Sequence, residues 1–481
     1  MNELDQIYLG GTPRVSHQGQ YEYALAPARS LSFERAALTK LVFTLAILGS
    51  LGLKIASLLV FFSRIEVSLV VMRHEDEHKV FSDFITDFSF PEMIRDFYNA
   101  EAYLMCGLIV LGSAAVPIAK HLFMLAVWWF PVPARWTPMR RRLLFLFDQT
   151  GKTALVDLFL IGYVICIFYT KLAVQLAGTG IQMRLQGEPV RGIFLAVASM
   201  FWGNFMSHYL LVVHDLQANG DFNRQVTVAV GPVSASLSNR LWIQMVPGNG
   251  IRNRAYHVAI PLLILFGMAS LGMATRVELM SFQLAGLAGK IAGGEPREFT
   301  LLTAPQTMQA SSQSYYGTLV LSVMHVALAL VLPCCLLIAS IVLWFVPIEL
   351  RLQRRLLSYF PLWYSWCTLD MFVVTSIAAY LEMHLIAQFT FDKNFPTLCN
   401  GVERMAKLPC ADLNQTLNWP GMLFCMAVCF VLLLLTVLVA VVGRGLLETE
   451  AAEDDYALVM DNPSLTRSPH SRNASPPNNR V

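Results

Sequence analysis

Asp157 and Asp370 are the residues of this chain best placed to do chemistry, because each interrupts a long apolar run. An ionisable group inside a membrane-spanning helix is costly, and by default it marks a substrate, ion or proton path. The two aspartates sit in matching settings. Within Pro131 to Gln175 and Pro347 to Gln388, residues match at a constant offset of 213 positions: Arg141 and Arg142 fall on Arg354 and Arg355, Asp157 on Asp370, Phe159 on Phe372, and Gln175 on Gln388. An internal repeat of this kind points to a duplicated membrane unit.

Other polar groups fall near these acids. Lys120, three residues after Pro117, lies in the preceding helix on the same half of the membrane as Asp157, and a lysine stem can bend by a few ångströms to pair with it. In the second copy the residue three after Pro333 is Leu336, so Asp370 has to find His325, a backbone group, water or a proton. The two copies are therefore unequal, and an acid without a cation suits a proton-coupled step. A structural reading stands beside this one: each aspartate is about one turn into its helix, where the helix dipole favours an anion. Asn204 and His208 are four apart and share one helix face, either joining the Lys120 cluster or serving as a single hydrogen-bonded histidine. Lys171 and His384 occupy equivalent outer positions and are expected to reach the headgroups. Pro117 and Pro333 act as hinges or as static kinks.

The elements that must position these groups follow from the composition. Of the 481 residues 55% are hydrophobic and 14% charged, and the mean hydropathy is +0.52. The apolar residues come in blocks of about 20 or more, the length a spanning helix needs. The fold predicted is an all-α polytopic membrane protein: eight transmembrane helices in two tandem four-helix bundles, with small β-containing extracytoplasmic loops. The helices are placed at about 41–62, 102–130, 153–176 and 192–213 in the first copy, and 258–275, 316–346, 367–389 and 421–443 in the second. Domain boundaries follow: a cytosolic arm at 1–35, membrane repeats at 36–214 and 255–444, a cytosolic linker at 215–254, and a disordered tail at 445–481. The arm shows no charged start leading into an apolar core, so no cleavable signal is expected.

Orientation follows from the short loops. Pro131 to Lys152 holds five basic residues and one acid, whereas Ser63 to Glu101 holds four basic and nine acidic. The arginine loops and both termini are placed in the cytosol. Outside, SRIEVSL (63–69) and TRVELMS (275–281) alternate as strands do, which predicts a small outer sheet on each bundle. Cys399 and Cys410, with ten residues between them, precede the glycosylation acceptor Asn414-Gln415-Thr416, and both signals favour an extracytoplasmic, eukaryotic secretory setting such as the plasma or endosomal membrane. In the tail, Tyr456 to Val459 fits a tyrosine-based sorting signal.

At VPIAK (116–120) and KTALVDLF (152–159), echoed by SWCTLDMF (365–372), the chain resembles the paraquat-inducible protein A family. That resemblance spans roughly residues 36–444. It implies two four-helix membrane units, with the family's motif falling on Pro117, Lys120, Asp157 and Phe159, and again on Pro333, Trp366, Asp370 and Phe372. It further implies movement of lipids between membranes with tunnel-forming partners. The family's zinc-ribbon cysteine pairs have no counterpart in residues 1–35 or 214–254.

Scattered cysteines without a CxxC pair argue against zinc, and the sequence holds no nucleophile constellation or nucleotide-binding glycine loop. No enzyme activity and no cofactor are expected, and a net charge of +2 gives no sign of a nucleic-acid partner. The expected function is transport of a lipid or another hydrophobic molecule, with membrane lipids as partners. The rival is a non-transporting, tetraspan-like scaffold or auxiliary subunit that binds a membrane or extracytoplasmic protein.

Overall fold

The computed structural model describes the chain from Phe33 to Val439 apart from stretches within it, the longest at 227–233, 236–249 and 400–408. In the first half, α1 (Phe33–Leu59) leads into β1 (Ser63–Arg73) and β2 (Asp76–Phe88), then α2 (Phe90–Asn99). A broken helix follows: α3 (Tyr103–Ile109), a π-helical segment (Val110–Ala115) and α4 (Val116–Trp129). Next come α5 (Thr137–Gln149), a 3₁₀ segment (Thr150–Leu155), α6 (Val156–Phe168), β3 (Thr170–Leu176), β4 (Thr179–Pro189) and α7 (Arg191–Val226).

The chain continues into a second half. It runs β5 (Ser234–Ala235), α8 (Gly250–Ala274), β6 (Met280–Ala285), β7 (Arg297–Phe299) and α9 (Thr303–Ala310). Another broken helix comes next: α10 (Tyr315–His325), a π-helical segment (Val326–Val331) and α11 (Leu332–Phe345). The chain closes with β8 (Ile348–Glu349), α12 (Leu350–Trp366), α13 (Leu369–Asn394), β9 (Asp412–Leu417) and α14 (Trp419–Val439).

Among the described residues seven helical stretches are long and apolar enough to cross a membrane, with α12 and α13 together forming one of them. The third helix differs from expectation. Predicted to run to Leu176, it ends at Phe168, and Thr170 to Leu176 pair as β3 with β4. Thr, Leu, Val and Leu alternate with Lys, Ala and Gln through this stretch, so it satisfies a strand once β4 supplies its hydrogen bonds. What remains, α6, is apolar on every side and buried almost throughout, as a helix without a polar face must be. Helices run into the predicted linker at 215–254 from both sides: α7 extends to Val226 and α8 begins at Gly250.

Both predicted sheets form. The first has the order β2-β1-β4-β3 and the second β7-β6-β9, all pairs antiparallel. In each, the strand leaving the first helix is central, flanked by the strand before the broken helix and the strand before the last helix. The strand expected at 275–281 begins only at Met280. Residues before it finish the helix instead: the Thr275 hydroxyl donates to the Gly272 carbonyl (2.8 Å) and the Val277 N–H to the Met273 carbonyl (2.8 Å).

Each π segment ends just ahead of a proline, at Pro117 and at Pro333. Proline has no N–H to offer the carbonyl four residues back, and a widened turn accommodates that loss. The halves meet along α6 and α13. Phe159 and Phe372, matching residues of the sequence repeat, stand edge to face with ring centroids 5.6 Å apart, and Tyr163 hydrogen-bonds Ser376, another matching pair.

Candidate functional site

Two polar constellations occupy the apolar interior. The first lies within the first half. Lys120, on α4 three residues past Pro117, is 2% exposed, and its Nζ donates to Asn204 Oδ1 of α7 at 2.7 Å. Beside it His121 Nδ1 bonds the Pro117 carbonyl (2.7 Å). A carbonyl can only accept, so Nδ1 carries the proton and Nε2 accepts from Ser50 Oγ of α1 (2.7 Å). A small cavity adjoins these groups, lined by Lys54, Pro117, His121, Gly151, Ser199 and Asn204 among others, with room for about one or two waters.

The close approach of these helices requires Gly151. A Cβ there would lie 2.0 Å from Asn204 Oδ1 and 2.7 Å from Lys120 Nζ. Toward the end of α5 the polar column continues: buried Asp148 accepts from Ser207 Oγ (3.1 Å) and lies 3.9 Å from His208 Nδ1. Nearby on α5, outside the spans, burial pushes the Arg140 guanidinium down to about 10.

The second constellation joins the halves. Lys152, within the 3₁₀ segment, forms an ion pair with Asp370 in the first turn of α13, with side chains 8% and 29% exposed. The lysine also sits over the Tyr364 ring, 4.3 Å from its centroid, and Asp370 Oδ1 accepts its neighbour's N–H at Met371 (2.9 Å). This corrects the expectation that Asp370 must do without a cation. The cation comes from the other half of the chain, where a comparison within one copy does not look. His325 is not its partner: the imidazole stands edge to face with Phe159 (5.5 Å) and Phe372 (5.1 Å).

The remaining predicted residues are distributed as follows. Asp157 is in the first turn of α6, but its side chain, and with it the predicted pair with Lys120, lies outside the described residues. Asn204 joins Lys120, while its face-mate His208 turns to Asp148. His384 does not reach outward. It is half-buried, and Gln415 Nε2 of β9 lies 3.2 Å from its Nδ1, because the strand packs onto this end of α13. Cys399 is disulfide-bonded, and its expected partner Cys410 lies outside the described residues. Asn414 is exposed on β9, an edge strand, while Tyr456 and Val459 lie outside the described residues.

Sequence reasoning missed Lys152, Lys54, His121 and Asp148 as site residues. Lys54 is visible as the one charge in its apolar run and His121 as the neighbour of Lys120 inside the second span; Lys152 and Asp148 read as loop or helix-end charges. Among the described residues no three His, Cys, Asp or Glu side chains converge as a metal site requires. The helices and their buried polar groups define an integral membrane protein. Comparison with family models, curated proteins and solved structures returns no match.

Proposed function

We propose that this protein moves a lipid or another hydrophobic molecule through or between two tandem four-helix bundles, with α6 as the eighth span and both termini cytosolic. Lys120 carries this reading. Its ammonium is buried among apolar helices, hydrogen-bonded to a carboxamide and acted on by the Asp148 carboxylate, and such a group is expensive in a membrane. The architecture does not demand it, since Leu336, equally spaced from Pro333 in α11, is 0% exposed. A costly group that the fold can replace with leucine belongs to a path rather than to packing.

Further support comes from the two proline-linked π segments, where a spanning helix can change shape. The motif shared with the paraquat-inducible protein A family also favours lipid movement. In this arrangement the ion pair of Lys152 and Asp370 fastens the bundles at one end. At the other, Lys393 Nζ pairs with Asp96 (2.7 Å), and Glu382 accepts the N–H groups of Leu104 (2.8 Å) and Met105 (2.7 Å). Both ends are thus held shut, as in an occluded transporter.

A second reading, a scaffold that binds a protein partner, is favoured by β2, a strand of 13 residues at the edge of its sheet. The deciding experiment reconstitutes the wild type and Lys120→Leu in vesicles and follows a fluorescent phospholipid and, separately, a fluorescent lipid with an uncharged headgroup between leaflets. Transport predicts movement by the wild type and its loss in a folded, fully inserted variant. A wild type that moves no lipid, with partner binding unchanged in Lys120→Leu, refutes transport in favour of the scaffold.

A further inference from the structure

We propose that a pocket between α6 and α10 binds lipids whose headgroup is a single uncharged hydroxyl, such as a diacylglycerol. This deepens the proposed transport function by naming the class of cargo. The pocket is lined by Leu155, Leu158, Phe159, Met308, Met324 and His325, with two further leucines, and among the described residues no charged side chain lines it. A charged headgroup entering it would be stripped of water with nothing to pair against, which costs far more than burying a hydroxyl.

His325 is the polar group that such a lipid would find. It is 3% exposed, and although it lies against the Leu301 carbonyl, neither ring nitrogen makes a hydrogen bond of normal geometry. Buried polar groups are almost always satisfied, so an open one lining a cavity implies a ligand. Its ring is held between Phe159 and Phe372, where the two halves meet. An imidazole offers one donor and one acceptor, which matches a single hydroxyl.

The pocket can enlarge. It now has room for about one water. Two methionines form part of its wall, and methionine adapts its shape at small cost. Met308 Cε rests on the bare backbone of Gly162, where a Cβ would come within 2.4 Å of it. Swinging that thioether aside opens the space along α6 to an acyl chain.

The test places the full-length protein in nanodiscs with a diazirine-bearing diacylglycerol or a phosphatidylcholine carrying the same chains, followed by photolysis and peptide mapping. Diacylglycerol is expected to label segments 155–159 and 321–328 about tenfold more than phosphatidylcholine, and His325→Leu to cut that labelling about tenfold, the worth of one hydrogen bond. His325→Asn, which keeps a donor and an acceptor, is expected to retain most of it. Equal labelling by both lipids, or labelling indifferent to His325→Leu, overturns the proposal. If His325→Leu does not fold, Met308→Trp fills the pocket instead, and labelling that survives it is equally decisive against. Labelling needs no movement, so a vesicle assay without transport leaves this result standing; phosphatidylcholine transport without diacylglycerol labelling removes this inference alone.

Discussion

Gly151→Ala is the sharpest test of how the polar constellation is built. The added methyl would sit 2.0 Å from Asn204 Oδ1 and 2.8 Å from Asn204 Cγ, where ordinary contacts begin near 3.4 Å. The carboxamide must therefore move by more than an ångström, and its 2.7 Å bond to the Lys120 ammonium breaks. Losing a hydrogen bond to a charged group costs about 1.5–3 kcal/mol, and overpacking adds about 1–3 kcal/mol. Better helix propensity returns at most about 1 kcal/mol. The expected loss is about 2–5 kcal/mol, read by unfolding the purified protein with SDS in mixed micelles. Asn204→Ala should itself cost about 1–3 kcal/mol, by leaving the lysine unpaired. With Asn204 cut back, the nearest contact left to the new methyl is the flexible end of Lys120, so the double variant should be less impaired than the sum by about 2 kcal/mol. Costs that add to within about 0.5 kcal/mol would show that Gly151 does not act through Asn204.

Three other outcomes are expected. Lys152→Met and Asp370→Asn should each cost about 1–2 kcal/mol, the lower range reflecting the partial exposure of Asp370, and the double variant should cost less than their sum in the same titration. Glu382→Gln should weaken the start of α3 by about 1 kcal/mol, seen as faster amide hydrogen exchange at Leu104 and Met105 with little change elsewhere. Asn414→Gln should remove one glycan-sized shift on gels of protein made in a secretory cell; no shift in the wild type would refute the assigned orientation.

The sequence shows some levels of this structure and conceals others for identifiable reasons. Helices and their prolines are legible because each apolar run answers to the bilayer alone. The strand at Ser63 is legible from local alternation, but β3 is not: Thr170 to Leu176 is apolar enough to prolong α6, and only its pairing with β4, across a turn and in a fixed register, makes it a strand. The partner of Asp370 is hidden more deeply. Lys152 lies in the other half of the chain and reads locally as one more basic residue of an arginine-rich loop. Asn204 was within reach of sequence reasoning, since a polar residue within an apolar run needs a partner and Lys120 needs one too.

The inequality of the two halves bears on what each contributes. At Lys120 the first half carries an ammonium, a carboxamide and a cavity; at the matching spacing the second half carries Leu336, and around it Gly267 packs so closely that a Cβ would meet Val431 at 2.7 Å and Leu337 at 3.0 Å. The first half can therefore rearrange hydrogen bonds and water, whereas the second moves only by displacing packed apolar side chains, a stiffer response. A rocking motion shared equally by both bundles fits this poorly. It fits better that α4 and α7 shift around the polar cavity while α11 and α14 serve as the support, with Lys152 and Asp370 carrying the displacement across to α13. On the proposed transport function, crosslinks placed between α4 and α7 should then block lipid movement, and equivalent crosslinks between α11 and α14 should leave it nearly intact; the reverse pattern would assign the moving part to the second half.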